Sequence, residues 1–269
     1  MLKKRVATAA CLLPLVVVVA WFNEPIPWLA IFAAIWGIMA ALEFYKAVNT
    51  SGQKVPPLTV FGLLWTLFFI ISPLFAYPYL NLLLLASALV LPAIWFLVRR
   101  YREGAFTGWA WTIIGILYIG WMLSHFVALR EMDSGRDWVL FALFVTFASD
   151  SAAYFIGSAI GKHQLAPGIS PKKTWEGAAG GVLGAIGIGL LLVMLLDLPI
   201  TYMQAIPLSI AVSIFGQLGD LLESLFKRRV GVKDSGKAMP GHGGFLDRMD
   251  SVVFAGAFVY YYAAALCNG

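Results

Sequence analysis

Four aspartates stand where an apolar chain should carry none. Asp150 interrupts TFASDSAAYFIG, Asp220 interrupts GQLGDLLES, and Asp247 and Asp250 open the last apolar run in GGFLDRMDS. A carboxylate placed inside a membrane span costs about 3 kcal/mol or more unless it faces a wet cavity, a partner or a cation. Each aspartate here belongs to a polar stripe. Thr146, Asp150 and Tyr154 follow at four-residue steps and share one helix face; Ser213, Gln217, Asp220 and Ser224 form a second stripe. Asp247, Asp250 and Ser251 form a third, through i+3 and i+4 spacing. Pairing with a lysine or arginine at the membrane boundary accounts for any one of these carboxylates. It accounts poorly for all of them together.

Basic and glycine residues surround the last two aspartates. Lys227, Arg228, Arg229, Lys233, Lys237 and Arg248 flank the run PGHGG, which holds His242, Gly243 and Gly244. Glycines let a backbone approach a ligand closely and can form an anion-binding nest. Asp247 and Asp250 read as the beginning of one helix, which would add backbone N–H groups suited to phosphate. Hard carboxylate oxygens beside phosphate binders suit Mg²⁺, which takes one or two carboxylates and completes its shell with water and substrate phosphates. His242 has no second histidine or cysteine near it, so it reads as a phosphate contact or loop donor rather than a zinc ligand. A second basic segment, GKHQLAPGISPKKTWEG, adds Lys162, Ser170, Lys172, Lys173 and Thr174. It is equally readable as a solvated loop or as a nucleotide contact beside Asp150. Neither segment is a Walker A motif, and no nucleophile–base signature is present. The chemistry indicated is that of metal and electrostatics.

The elements that must position these groups are membrane helices. The chain has 269 residues, 61% hydrophobic and 12% charged, against about 25% charged in a soluble domain. Apolar segments near 6–22, 27–45, 58–76, 79–98, 109–129, 137–160, 177–196, 204–226 and 247–266 are long enough to cross a bilayer as helices. They lack the alternation of barrel strands. The fold class is an all-α polytopic bundle of about nine spans. Residues 1–130 read as scaffold, and residues 131–269 as the catalytic region. The glycines of GAAGGVLGAIGIG (177–189) read as close helix packing. The start LKKR before an apolar run resembles a secretory signal, but the charge pattern favours an uncut first helix. Cys11 and Cys267 fall towards opposite sides and should not bridge. Placing the N-terminus in the cytoplasm puts every Lys and Arg except Arg130 and Arg136 on that side. The net charge of +5 is thus a positive-inside topology signal and not a nucleic-acid surface.

The segment SLFKRRVGVKDSGKAMPGHGGFLDRMDS, Ser224 to Ser251, resembles the signature of CDP-diacylglycerol synthases, also called phosphatidate cytidylyltransferases. The serine, the Lys-Arg pair, Lys-Asp, His-Gly-Gly, Asp-Arg and the final Asp are all in place. GQLGDLLES, DSAAYFIG and ISPKKTWEG resemble the same family. The resemblance implies transfer of CMP from CTP to phosphatidate, releasing pyrophosphate, in a bacterial cytoplasmic membrane. It further implies Mg²⁺ held by Asp220, Asp247 and Asp250, with K⁺ as a second cation, and a homodimer. Lys227, Arg228 and Lys233 then join the aspartates in catalysis. Asp150, Ser170, Lys172, Lys173, Thr174, Ser224, Lys237, His242, Gly243, Gly244 and Arg248 fall to substrate binding. Recognition of cytosine and of the lipid rests on the resemblance alone. The rival readings are an ion-coupled transporter and a CTP-dependent lipid kinase.

The charge asymmetry generates a topology prediction. Cysteines introduced singly at 46–57, 98–108, 161–176 or 227–246 should resist impermeant thiol reagents in intact cells. Labelling at Ser235 from outside would overturn the orientation.

Overall fold

The computed structural model describes residues 14–99, 103–236, 238 and 243–267. Lys237, His242 and Cys11 lie outside the described residues, as do residues 6–13 of the first apolar segment. The rest is predominantly helical. The order is α1 (Trp28–Thr50), α2 (Thr59–Ile71), α3 (Leu80–Val98), α4 (Ala105–Gly115), a π-helical stretch (Ile116–Trp121) and α5 (Met122–Arg130). There follow α6 (Gly135–Ile160), β1 (Gln164–Ala166), β2 (Ser170–Thr174), α7 (Trp175–Leu195), α8 (Tyr202–Val230) and α9 (Asp250–Cys267). Among the described residues, six helices are long and apolar enough to cross a membrane: α1, α3, the continuous Ala105–Arg130, α6, α7 and α8. Thr59–Leu74 and Asp250–Leu266 are shorter apolar helices. The protein is a helical membrane bundle.

The chain divides into two compact units, residues 1–128 with 229–248, and 129–228 with 249–269. In the first unit a tyrosine organises the packing. Tyr45 of α1 is fully buried and donates to the Thr112 carbonyl of α4 at 2.8 Å. Gly62 of α2 and Gly115 of α4 stand against its ring, where any Cβ would collide. Phe69, Leu84, Ala88 and Ile116 form an adjoining apolar core.

In the second unit, α7 turns its small residues onto α6. Added Cβ atoms at Gly177, Gly180 and Gly184 would strike the Ala153 carbonyl, Ile156 and Ala152 respectively. The glycine-rich sequence is therefore packing, as its composition suggests, and lets two backbones approach without a hydrophobic drive from water. A polar thread crosses this contact. Ser149 and Ser213 share a hydrogen bond of 2.7 Å, and Gln217 Nε2 donates to Ser213 Oγ at 3.0 Å and to the Ala178 carbonyl at 3.2 Å. Trp138 of α6 meets Tyr262 of α9 edge-on at 6.4 Å.

Two local features differ from the sequence reading. The basic segment 161–177 is not irregular: β1 and β2 pair antiparallel, with Gln164 opposite Thr174 and Ala166 opposite Ser170. Thr174 then caps α7, its hydroxyl accepting the Gly177 N–H at 3.1 Å. Asp247 does not start the last helix with Asp250. It lies in a 3-10 turn, Leu246–Arg248, and α9 begins at Asp250. The carboxylate of Asp247 is drawn back onto loop amides, which ends the turn before the helix starts.

Glycine spacing on α8 gives a paired prediction. A Cβ on Gly219 would collide with the Asp250 carbonyl, whereas one on Gly216 meets Ser251 and Thr146 at an ordinary 3.6 Å. Gly219→Ala should therefore cost about 1–3 kcal/mol of overpacking. It should lower the detergent melting temperature clearly, while Gly216→Ala leaves it near the parent value. Equal melting temperatures would contradict the close contact.

Candidate active site

The second unit gathers carboxylates at one place. Asp220 and Glu223 stand one turn apart on α8, and Asp250 is the first residue of α9. Oxygens from all three lie within 4.8 Å of one another. Three like charges at that separation repel by roughly 3–4 kcal/mol per pair at an effective dielectric of about 20. Cations offset this. Lys173 of β2 holds Asp220 at 2.6 Å, and Lys227, one turn beyond Glu223, holds it at 2.5 Å. Glu223 is wholly buried, so its pairing with Lys227 keeps a desolvated charge tolerable. Asp150 and Lys227 also lie near enough to Asp250 to act on it electrostatically.

Two lysines against three carboxylates leave this set one positive charge short. Ligands of an octahedral ion at about 2.1 Å can stand up to about 4.2 Å apart. A small rotation of these side chains would thus bring the three oxygens onto one hard divalent cation. The donor set fits such an ion.

Asp247 is held within the first unit. Its Oδ2 accepts from the Ser235 N–H at 3.0 Å, the Ser235 hydroxyl at 2.9 Å and the Gly244 N–H at 2.7 Å. Gly243 takes a left-handed φ of 84°, and a Cβ there would strike the Asp247 carboxylate. That conformation favours glycine, which explains Gly243 directly.

The other sequence-derived candidates fall as follows. Arg228 donates Nε to the Ile169 carbonyl at 3.3 Å, fastening α8 to the turn of the β-hairpin. Thr174 is the helix cap already described, and Ser170 belongs to β2. Lys172, Lys233 and Arg248 are exposed, and Ser224 is half-buried on α8. Lys237 and His242 lie outside the described residues. Sequence reasoning missed Glu223 and the acceptor Glu43, whose carboxylate meets the Ser235–Leu246 loop. Glu223 could have been found three residues after Asp220 on the same stripe. Glu43 left no such signal.

Helices long and apolar enough to span a membrane, some of them carrying a carboxylate–lysine cluster, define a polytopic helical membrane protein. The chain belongs to the cytidylyltransferase family, whose model matches residues 3–266. It is similar to a Bacillus subtilis protein named phosphatidate cytidylyltransferase, 43% identical over 152 residues, which are 56% of this chain and 56% of that protein. A Staphylococcus epidermidis protein of the same name is 44% identical over 145 residues, 54% of this chain and 55% of its own. These two alignments thus span a little over half of each relative. A Staphylococcus aureus phosphatidate cytidylyltransferase aligns more widely, at 34% identity over 232 residues, 84% of this chain and 86% of its own.

The charge imbalance yields a binding prediction. Asp220→Asn or Asp250→Asn removes a ligand and should weaken Mn²⁺ binding at least tenfold. Lys173→Met removes a competing ammonium and should tighten it. Titration of detergent-purified protein by electron paramagnetic resonance reads both. Unchanged Mn²⁺ affinity in both Asn variants would exclude the cluster as a cation site.

Proposed function

We propose that this chain is a phosphatidate cytidylyltransferase, converting CTP and phosphatidate into CDP-diacylglycerol and pyrophosphate. The observation that carries the reading is the Asp220–Glu223–Asp250 cluster with its lysines, on helices of a membrane protein of this family. An oxygen of the phosphatidate phosphate attacks the α-phosphorus of CTP, and the bond from that phosphorus to the bridging oxygen of the β-phosphate breaks. The electron pair leaves with pyrophosphate. A phosphate nucleophile is already ionised at neutral pH, so no strong general base is required.

Mg²⁺, with K⁺ as a second cation, would supply Lewis-acid stabilisation of the charge that develops on the phosphoryl oxygens. Asp220, Glu223 and Asp250 are assigned to hold the metal. Lys173 and Lys227, paired with Asp220 and Glu223, would offer ammonium groups to phosphate oxygens at the same place. Asp247, by accepting the Ser235 and Gly244 N–H groups, ties the two flanks of the glycine loop together. Residues Ile169, Phe215, Leu218, Leu222 and Phe254 help line an apolar cleft of about 250 Å³ on the same helices, suited to part of an acyl chain.

The reading includes nine spans, a cytoplasmic N-terminus, a site on the cytoplasmic face of the bacterial inner membrane, and a homodimer. Its supports are the charge asymmetry of the sequence and the family resemblance. A lipid kinase would use the same metal and phosphate groups, and an ion-coupled transporter would consume no CTP.

Labelled CTP separates these readings. With purified protein, phosphatidate and Mg²⁺, α-phosphate label should enter the lipid and γ-label should leave as pyrophosphate. Finding γ-label in the lipid, with α-label in CDP, would replace the assignment by a kinase.

A further inference from the structure

Helix α1 lies nearly two hundred residues before the signature loop, yet it supplies the loop with an acceptor. Glu43, half-buried near the end of α1, takes the Leu246 N–H at 3.1 Å and the Ser235 hydroxyl at 3.1 Å, both on Oε2. Two turns earlier on the same face, Trp36 donates Nε1 to the Phe245 carbonyl at 3.1 Å and meets the Phe245 ring edge-on at 4.9 Å. The two ends of the loop, at Ser235 and at Phe245–Leu246, are thus fastened to one helix face.

Steric evidence points the same way. A Cβ on Gly236 would collide with Glu43 Oε1, and one on Gly244 with Glu43 Oε2 and the Ser235 hydroxyl. Both glycines have only hydrogen at these positions because a carboxylate from outside the motif occupies the space. The Ser235 hydroxyl stands between Glu43 Oε2 and Asp247 Oδ2 but has one proton for both. Backbone N–H groups of Ser235, Gly244, Phe245 and Leu246 supply further donors to these two acids. Two carboxylates and these amides therefore form one network, in which Glu43 is the member fixed to a long helix.

We propose that Glu43 is a positioning residue, which touches no substrate but holds the flanks of the signature loop, Ser235–Gly236 and Gly243–Arg248, in place through Ser235 and Leu246. What the loop does once positioned rests on the cytidylyltransferase reading; the positioning itself does not. A glutamine in place of Glu43 keeps the shape and one acceptor oxygen but loses the charge that strengthens these hydrogen bonds. An alanine loses both.

The test uses the full-length protein in detergent. Hydrogen–deuterium exchange in peptides covering 233–248 should accelerate at least tenfold in Glu43→Gln and further in Glu43→Ala, with α6 to α8 unchanged. Ser235→Ala, which leaves α1 intact, should accelerate the same peptides about threefold and keeps the test open if the Glu43 variants fold poorly. The KM for CTP should rise at least tenfold in Glu43→Gln, with a smaller fall in kcat. A purely structural role would instead lower the melting temperature and leave KM unchanged. Loop exchange within twofold of the parent in both Glu43→Gln and Ser235→Ala would overturn the proposal, as would an unchanged KM in Glu43→Gln. If the parent protein itself fails to turn over CTP, the functional reading fails, and exchange alone decides the role of Glu43.

Discussion

A carboxylate in a poorly solvated place needs a positive partner or several N–H donors, and this requirement organises both units. In the second unit Asp220 and Glu223 are each met by a lysine, one from a β-hairpin and one from the same helix. In the first, Asp247 and Glu43 are met by backbone amides and one serine hydroxyl. The difference has chemical weight. Lysine partners are mobile and can be exchanged for a metal ion, whereas backbone amides are fixed by the fold. The first arrangement leaves an exchangeable charge; the second makes a rigid frame.

Glycine is the counterpart of these acids. Where helices lie side by side, as in α6 and α7, missing side chains let backbones approach and make room for the serine–glutamine thread between them. At Gly219 the missing side chain accommodates the Asp250 carbonyl, and so fixes where α9 begins with respect to α8. In the loop, Gly236, Gly243 and Gly244 leave room for carboxylate oxygens. Identical composition therefore serves helix packing in one segment and charge accommodation in another.

The helical membrane architecture was legible because apolar length and charge distribution are properties of whole segments. Asp220 and Asp250 were legible because a charge in an apolar run is conspicuous, and the signature from Ser224 to Ser251 made the family legible. Glu223 was missed because it pairs with Lys227 one turn away, and an acid four residues before a lysine looks like ordinary helix-surface pairing. The hairpin escaped because PKKT carries no apolar alternation; its register comes from short backbone pairing. Glu43 escaped because its partners are 192 and 203 residues away. Helical periodicity shows which face a residue occupies, not which distant segment will cover it.

That separation has a consequence for biosynthesis. A ribosome adds roughly 5–20 residues per second, so Glu43 emerges about 10–40 s before the segment that supplies its amide donors. Over that interval α1 can be inserted while its acid still lacks Ser235 and Leu246. The first unit is discontinuous in the chain, taking residues 229–248 as its closing piece. Completion of this unit accordingly waits for residues 229–248, and quality control of the nascent chain must tolerate an unfinished helix face until then.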